Sequence, residues 1–290
     1  MRILVFGKNG QVARALQNAA KGDVKLTALG RTDCDLMKLG AAAATIAEAK
    51  PDIIINAAAY TAVDKAESEP DVAARLNADA PAEIAAAAQI AGAHFIHLST
   101  DYVFDGASPE RLHENDETNP LNAYGATKRD GEIAVLAAHP DAIILRTSWV
   151  FSEYGTNFVK TMLRLGGERD ALSIVADQIG GPTDAYDIAA AILSIAAKKH
   201  RGAPGAGLYH FQGAPSVSWA AFATKIFDLA NLDVKVSPIK TVDYPTPATR
   251  PLNTILDCAA IERDFGIAQP DWRIGLRRVI AALNDEGQSQ

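Results

Sequence analysis

A tyrosine and a lysine four residues apart are the first candidates for chemistry in this sequence. Of seven tyrosines, only Tyr124 is followed by a lysine at that distance, Lys128. On a helix this spacing places both side chains on one face. An ammonium held near a phenol stabilises the phenolate, so we expect Lys128 to lower the pKa of Tyr124 from about 10 toward the working pH. Such a tyrosine can exchange a proton with a carbonyl oxygen, which suits carbonyl reduction.

A threonine hydroxyl is the second candidate group. Ser99 and Thr100 follow an apolar run at residues 95–98 that is predicted to be a strand. Thr100 would then lie at the carboxyl end of that strand, where its hydroxyl could bond a substrate carbonyl. Taken alone, a Tyr-x-x-x-Lys pair is usually a surface coincidence and a Ser-Thr pair is usually a strand cap. Other motifs must therefore support these residues.

A glycine turn follows the first predicted strand. The segment Gly7-Lys8-Asn9-Gly10-Gln11-Val12-Ala13 opens a predicted helix, and Gly7 and Gly10 would let backbone N–H groups approach a pyrophosphate. Ala13 stands where a stricter pattern has a third glycine, a position that needs only a small residue. A plain tight turn explains the glycine pair alone about as well. Its place directly after the first strand favours a dinucleotide site.

The residues after the second predicted strand bear on the choice of cofactor. Arg31 stands where an NAD enzyme ordinarily has a carboxylate for the ribose, and an arginine could instead pair with a 2′-phosphate. We therefore favour NADPH, while Asp33 and Asp35 lie close enough to leave NADH open. The alternative for Arg31 is an ordinary solvated loop charge.

Small residues close the third predicted strand. Ala57, Ala58 and Ala59 would let a cofactor lie against the sheet edge. The four motifs occur in the order glycine turn, small-residue strand end, Ser-Thr strand end and Tyr-x-x-x-Lys helix. In a parallel sheet this order brings them to one edge. The order, rather than any single motif, predicts a shared site.

Alternation of short β-branched runs with alanine-rich segments predicts the fold class. Strands are predicted at residues 3–6, 25–29, 53–56, 95–98 and 143–146, and helices at 11–20, 41–49, 72–91 and 124–137. Pro81 should kink the third helix or begin a new one. The pattern indicates an α/β protein with a Rossmann-type doubly wound parallel sheet.

The alternation weakens after about residue 151, where glycine and proline become frequent. We therefore predict a nucleotide-binding domain over residues 1–150. Residues 151–290 should form mainly a smaller C-terminal substrate-binding lobe, with later segments returning to the first domain.

Composition limits the partners. A net charge of -7 disfavours a surface for nucleic acid, and no apolar run reaches membrane-spanning length. Two distant cysteines give no disulfide framework or metal spacing, so we expect a cytoplasmic protein. His94 and His97, three apart on a predicted strand, should point to opposite faces and make a poor metal pair.

These residues resemble the extended short-chain dehydrogenases and, within them, the dTDP-4-dehydrorhamnose reductase family, across nearly the whole chain. Further segments carrying the resemblance are residues 52–67, 99–106, 146–151, 155–159, 177–183 and 250–254. The resemblance implies a nucleotide-sugar substrate. The C4 keto group of dTDP-4-dehydro-L-rhamnose would be reduced by NADPH, or by NADH, to give dTDP-L-rhamnose.

The resemblance also implies roles for particular residues. Tyr124 would donate the proton, Lys128 would lower its pKa, Thr100 would bind the carbonyl, and Tyr124 and Lys128 would also touch the cofactor. Further implied cofactor contacts are Gly10, Gln11, Val12, Asp35, Leu36, Ala59, Tyr60 and Thr61. Implied substrate contacts are Asp101, Tyr102, Trp149, Asn157, Gln178 and Arg250. Alternatives are a core aromatic for Trp149 and a surface salt bridge for Arg250.

At two positions this sequence differs from the pattern of some related proteins. Sugar 4,6-dehydratases of this superfamily carry an acid pair after the threonine, whereas here Asp101 is followed by Tyr102, so a dehydratase is disfavoured. Ala15 stands where some members have a glutamate linked to metal-bridged dimers, so no metal is expected, and a homodimer is left open.

Two other functions stay open. One is a reductase or epimerase of another nucleotide sugar. The other is an NADP-binding regulatory subunit without turnover, against which the intact Thr100, Tyr124 and Lys128 argue.

Overall fold

The structure, a computed structural model, describes residues 1–288. The strands are β1 (Arg2–Phe6), β2 (Lys25–Leu29), β3 (Ile53–Asn56), β4 (His94–Thr100), β5 (Ile143–Thr147), β6 (Val150–Phe151), β7 (Ala171–Val175), β8 (Ile179–Gly180), β9 (Thr183–Asp184), β10 (Gly207–His210), β11 (Val217–Ser218), β12 (Lys235–Ile239) and β13 (Asn253–Thr254). The helices are α1 (Gln11–Ala19), α2 (Ala41–Ala49), α3 (Val63–Ala66), α4 (Pro70–Ala74), α5 (Ala80–Ala91), α6 (Ala123–Ala138), α7 (Phe158–Glu168), α8 (Ala185–His200), α9 (Trp219–Ala230), α10 (Ala259–Phe265) and α11 (Trp272–Gln288). Within the described residues, no helix combines the length and apolar character needed to cross a membrane.

A six-stranded sheet of parallel strands forms the centre of the molecule. Its strand order is β10-β5-β4-β3-β1-β2. Because β1 pairs with β2 on one side and β3 on the other, the chain order reverses at the carboxyl end of β1. Ligands of open α/β sheets bind at such a reversal. The predicted Rossmann-type sheet and all five predicted strands are confirmed.

Helices cover both faces of this sheet, which explains the almost uninterrupted apolar strands. On one face α1 packs against α8, and on the other α5 packs against α2 and α6. All four residues of β3 are buried. Strands buried on both faces need apolar residues at every position, not at alternate ones. Each fully buried isoleucine or leucine contributes about 1.5–3 kcal/mol to folding.

The segment predicted as one helix at residues 72–91 is divided. A π-helical segment, Arg75–Asp79, separates α4 from α5, and Pro81 is the second residue of α5. Proline is tolerated in a first helical turn because its missing N–H has no intrahelical partner there. The π-helical segment carries the buried Asn77, whose amide nitrogen donates to the Thr127 hydroxyl on α6 at 3.1 Å. The irregular turn therefore links the two helices.

The second lobe is built from short strand pairs and an aromatic core. Strand β7 pairs with β12, β6 pairs with β9, and β8 lies between β11 and β13. Helices α7, α9 and α11 contribute to a core that includes Phe151, Phe222 and Trp272. Strand β10 returns to the central sheet beside β5. The domain boundary near residue 150 stays a prediction. Helix α8 and strand β10, which follow that boundary in sequence, pack with the central sheet of the first domain.

Candidate active site

The three catalytic candidates meet at the carboxyl edge of the central sheet. Thr100 ends β4, while Tyr124 and Lys128 lie one turn apart at the start of α6. Asn122 fixes where this helix begins, because its side-chain oxygen accepts a hydrogen bond from the Gly125 N–H at 2.8 Å. The structure thus brings together residues that the sequence separates.

Tyr124 has a raised pKa in this structure. Burial raises it to about 12, a hydrogen bond with the Thr100 hydroxyl works in the opposite direction, and the negative charge of Asp101 adds to the rise. The expected lowering of the Tyr124 pKa by Lys128 is wrong here, because the buried environment of the phenol dominates. The phenol is protonated at neutral pH, which is the form a proton donor requires.

Lys128 is buried and points toward the strand β4. Its Nζ donates to the Leu98 carbonyl oxygen at 2.7 Å and lies 3.2 Å from His97 Nε2. Burial lowers the pKa of Lys128 to about 8, while the negative charge of Glu132 raises it. His97 was not predicted to be a neighbour of Lys128, since its sequence position suggested only a possible metal ligand. The position of His97 on β4, three residues before Thr100, could have indicated this contact.

Asp101 and Tyr102 surround the reactive hydroxyls. The Thr100 hydroxyl donates to Asp101 Oδ1 at 2.9 Å and accepts from the Tyr102 N–H at 3.3 Å. Asp101 is 2% exposed, and burial raises its pKa to about 7 despite a hydrogen bond from Thr100. The Tyr102 ring packs edge-on against Tyr124, with ring centres 5.8 Å apart. Both residues contact the catalytic candidates directly.

A cleft of about 330 Å³ lies at the reversal of the sheet, beside the glycine turn. The predicted cofactor residues that line it are Gly7, Gly10, Arg31, Asp35, Leu36, Ala57, Ala58, Ala59 and Thr61. Gly7 adopts φ of +103°, and a Cβ there would lie 2.7 Å from the Ala58 nitrogen. Only glycine permits that close approach of two strand ends. At Gly7 and Gly10 the wall of the cleft is backbone without a side chain, which leaves room for a pyrophosphate.

Three other predicted cofactor residues have side chains engaged elsewhere. The Gln11 side-chain oxygen accepts from the Ser152 hydroxyl at 2.8 Å, which ties α1 to the second lobe. Val12 is buried in the apolar core beneath the sheet. The Tyr60 hydroxyl donates to Glu69 at 2.7 Å. Cofactor contacts by these three residues stay predictions.

Two cations lie at the mouth of the cleft. Arg31, whose side chain is 81% exposed, has its Nε 3.6 Å from Asp35, and Lys8 Nζ lies 3.7 Å from Asp33. Exposed ion pairs of this kind contribute about 0–1 kcal/mol. Both cations are therefore free to turn toward a phosphate at little cost.

A stacked aromatic pair lies in the second lobe. Trp149 adopts φ of +46° and stacks on Trp219, with ring centres 3.4 Å apart and planes within 6°. The Trp219 indole N–H donates to the side-chain oxygen of Gln178 at 3.2 Å. Trp149 and Gln178, predicted separately, thus belong to one cluster. Sequence reasoning missed Trp219, which lies 70 residues from Trp149 and carries no motif.

Arg250 and Asn157 connect segments of the chain. Arg250 Nη2 lies 2.9 Å from an Asp64 carboxylate oxygen. The Asn157 side-chain oxygen caps α7 through the Lys160 N–H, and its amide nitrogen donates to Gln11 Oε1 at 2.9 Å. The substrate contacts of Arg250 and Asn157 stay predictions.

Size alone does not identify the site. A larger groove of about 920 Å³ runs between α2 and α5 past Arg2 and His94. It lies at the amino-terminal edge of the sheet, away from Thr100, Tyr124 and Lys128. Among residues 1–288, no group of three histidine, cysteine or carboxylate side chains is arranged to hold a metal ion. The candidate site is therefore assigned to the carboxyl edge of the sheet because Thr100, Tyr124 and Lys128 lie there, and not because of the volume of its cleft.

Comparisons with known proteins agree over the whole chain. A family model described as RmlD substrate binding domain matches residues 1–285. The dTDP-4-dehydrorhamnose reductase of Sinorhizobium fredii is 48% identical over 99% of both chains. The crystal structure of a dTDP-4-dehydrorhamnose reductase from Clostridium acetobutylicum has a TM-score of 0.93 and 40% identity, covering 98% of this chain and 100% of that one. That of the Bacillus anthracis enzyme in complex with NADP has a TM-score of 0.91 and 38% identity, covering 97% and 99%. The chain therefore belongs to the dTDP-4-dehydrorhamnose reductase family.

Proposed function

We propose that this protein reduces the C4 keto group of dTDP-4-dehydro-L-rhamnose to give dTDP-L-rhamnose, with NADPH as reductant. The observation that carries the proposal is the convergence of Thr100, Tyr124 and Lys128 beside a glycine-walled cleft at the sheet reversal. A phenol that stays protonated until it meets a developing alkoxide suits the reductive direction. The substrate follows from the family to which the chain belongs.

The cleft fits a dinucleotide. The N–H groups of Gly7 and Gly10 donate to the Leu29 and Gly7 carbonyl oxygens, which holds the turn against the amino end of α1. The dipole of α1 at that end favours a pyrophosphate. Arg31 and Lys8 are the cations that would receive a 2′-phosphate, which favours NADPH over NADH. A relative of 38% identity crystallised in complex with NADP supports this choice.

In the proposed mechanism, the reduced nicotinamide supplies a hydride when bound. The Thr100 hydroxyl, which donates to Asp101 in this structure, would turn to donate to the carbonyl oxygen, and Tyr124 transfers its phenolic proton to that oxygen as the alkoxide forms. Lys128, one turn along α6, holds positive charge near the phenolate that remains. Asp101 accepts from the Thr100 hydroxyl until the substrate carbonyl replaces it, and Tyr102 packs against the Tyr124 ring.

The second lobe would hold the nucleotide sugar. Trp149, supported by Trp219 and Gln178, offers a flat apolar wall with one polar group for the sugar. Arg250 would exchange its Asp64 partner for the diphosphate of the substrate. Asn157 bonds Gln11 of α1 and caps α7, and its predicted contact with the sugar would be made from this position.

The test is a spectrophotometric assay with enzymatically made dTDP-4-dehydrorhamnose. We expect loss of reduced-nicotinamide absorbance with NADPH, a lower kcat/KM with NADH, and dTDP-L-rhamnose as product. Turnover only with another nucleotide keto sugar would replace the substrate and keep the chemistry. Tight NADPH binding without consumption across a panel of keto sugars would instead support a regulatory subunit.

A further inference from the structure

His97 is a buried titratable residue to which the proposed mechanism gives no role. It lies on β4, directly beside Asn56 of β3, and is fully buried. Its two ring nitrogens have one close polar neighbour each. His97 Nδ1 is 3.1 Å from the Asn56 amide nitrogen, and Nε2 is 3.2 Å from Lys128 Nζ.

The orientation of the Asn56 amide is fixed by the backbone. The Ala58 N–H donates to Asn56 Oδ1 at 3.1 Å, and a backbone N–H can only donate. The Asn56 Nδ2 group must therefore face His97, and it too can only donate. His97 Nδ1 consequently accepts, so in a neutral ring the proton resides on Nε2. Burial keeps the ring neutral, because it lowers the pKa of His97 well below the usual 6.5.

The proton on His97 Nε2 points at the lysine. An ammonium has three donors and no acceptor, whereas a neutral amine has a lone pair. At the far end, Lys128 Nζ donates to the Leu98 carbonyl oxygen, which can only accept. When Lys128 is an amine, every donor in this row of hydrogen bonds has an acceptor. When Lys128 is an ammonium, the contact between His97 Nε2 and Lys128 Nζ brings two donors together.

We propose that His97 is a positioning residue that acts through Lys128: as the Nε2–H tautomer it donates to the lysine nitrogen and favours the amine form. The row of hydrogen bonds runs from Ala58 N–H through Asn56, His97 and Lys128 to the Leu98 oxygen. This inference rests on the proposed function, in which Lys128 serves Tyr124.

The consequence concerns the proton that replaces the one given by Tyr124. When Tyr124 has become a phenolate, an N–H bond of the Lys128 ammonium can break as the phenol O–H bond forms again. The lone pair that this transfer leaves on the lysine nitrogen then accepts the hydrogen bond from His97 Nε2–H. The lysine is held ready to release a proton and not only to supply a fixed charge.

Other charged groups around Lys128 act in a different sense. Glu132, one turn further along α6, raises the pKa of Lys128, but its two carboxylate oxygens are engaged by Arg146 of β5 at 2.9 and 2.6 Å. Tyr124 lies one turn before Lys128, and Asp101 follows β4 beside Thr100. His97 is the neighbour from β4 that contacts the lysine nitrogen directly. Glu132 favours the ammonium, whereas His97 favours the amine.

The test compares the pH dependence of kcat in His97→Leu, His97→Gln and the unaltered protein. Above the pKa of Lys128 the ammonium is lost and kcat falls. Removing a donor that favours the amine should move this alkaline limb upward by about 0.5–1 pH unit. Glutamine can accept from Asn56 and donate to Lys128, so His97→Gln should retain the original profile. His94→Leu, on the same strand but at its other end, should leave the profile unchanged.

A second measurement needs neither substrate nor turnover. In the full protein labelled with ¹⁵N-histidine, long-range ¹H–¹⁵N correlation spectra distinguish the two neutral tautomers, and His97→Gln identifies the resonance of His97. The proposal expects the Nε2–H form. An Nδ1–H form, or an alkaline limb in His97→Leu that stays in place or moves downward, overturns it. If the keto sugar is not reduced but the Nε2–H form is found, the proposed function fails and the hydrogen-bond assignment stands.

Discussion

The two halves of the molecule assemble their parts of the site in different ways. In the nucleotide-binding half, the residues that line the cleft follow the ends of the neighbouring parallel strands β1, β2 and β3, Thr100 ends β4, and Tyr124 and Lys128 begin α6. In the second lobe, two-residue strands join distant segments, and β8 pairs with β13 some seventy positions later in the chain. The catalytic candidates of the first half are therefore placed by the local order of the sequence, whereas the aromatic cluster of the second lobe is built by long-range packing.

This contrast predicts separable defects. Substitutions at the carboxyl edge of the central sheet should change turnover or cofactor affinity. Substitutions in the aromatic cluster of the second lobe should change the KM for the sugar. The predictions below test that separation, from the largest expected effect to the smallest.

Replacing the proton donor should give the largest effect. Tyr124→Phe removes the phenolic proton while keeping the ring, so kcat should fall about 10²–10⁴-fold. Affinity for NADPH, followed by fluorescence titration, should change little. Tyr244→Phe is the matched control, since this tyrosine is 60% exposed and lies outside the site. Near-normal turnover in Tyr124→Phe would remove Tyr124 from the mechanism.

The glycine turn should be the next most sensitive position. In Gly7→Ala the new Cβ would meet Ala57 and Ala58 backbone atoms at 2.7–2.8 Å, with φ at +103°. We expect a loss of about 3 kcal/mol in the free energy of unfolding and a weaker NADPH complex. Gly167→Ala should leave the free energy of unfolding unchanged or raise it slightly, because a Cβ at this position of α7 would have no neighbouring atom within 4 Å. Urea unfolding of both variants decides the comparison.

Asp101 should make stability depend on pH. Its pKa is about 7 in the folded protein and about 4 when unfolded, so the folded state binds the extra proton between these values. The contribution of Asp101 to stability should fall as pH rises from about 4 to about 7 and then level off, whereas the lowered pKa values of the buried His97 and His210 act in the opposite direction. The stability of Asp101→Asn relative to the unaltered protein should be about 4 kcal/mol greater at pH 8 than at pH 4, because a pKa difference of about 3 units corresponds to that free energy.

Urea unfolding at the two pH values measures the Asp101 effect. Asp130→Asn serves as the control, because the Asp130 side chain is 54% exposed. An equal stability difference between Asp101→Asn and the unaltered protein at both pH values would contradict the raised pKa.

The second lobe should show the smallest and most selective effect. Trp219→Leu removes the ring that stacks on Trp149 and donates to Gln178. The KM for the nucleotide sugar should rise about tenfold, while the KM for NADPH stays unchanged. Steady-state kinetics with each substrate varied in turn tests this. A parallel rise in both KM values would show that the two halves do not act separately.

Much of the nucleotide-binding half could be predicted because its signals are local. Strand β3 is a run of isoleucines ending in Asn56, and the glycine turn sits directly behind β1. Strand order then places Thr100 and Tyr124 at one edge without any knowledge of side-chain packing. The family resemblance supplied the substrate, which neither periodicity nor spacing could give.

The features of the site that could not be predicted depend on contacts between separate helices and strands. The predicted pKa of Tyr124 failed because spacing shows that a lysine is near but not that burial outweighs it. Asn77 and His97 gain their partners from other strands and helices, so nothing beside them in sequence reveals those contacts. The stacking of Trp149 on Trp219 joins two segments that share no motif.

The most direct test follows the hydride itself. The protein would be incubated with dTDP-4-dehydrorhamnose and NADPH carrying deuterium at the transferred position of its nicotinamide ring, and the product examined by NMR and mass spectrometry. We expect one deuterium, located at C4 of the rhamnose ring, and none when Tyr124→Phe replaces the unaltered protein over the same time. A product without deuterium, or with deuterium at another carbon, would contradict the proposed reduction.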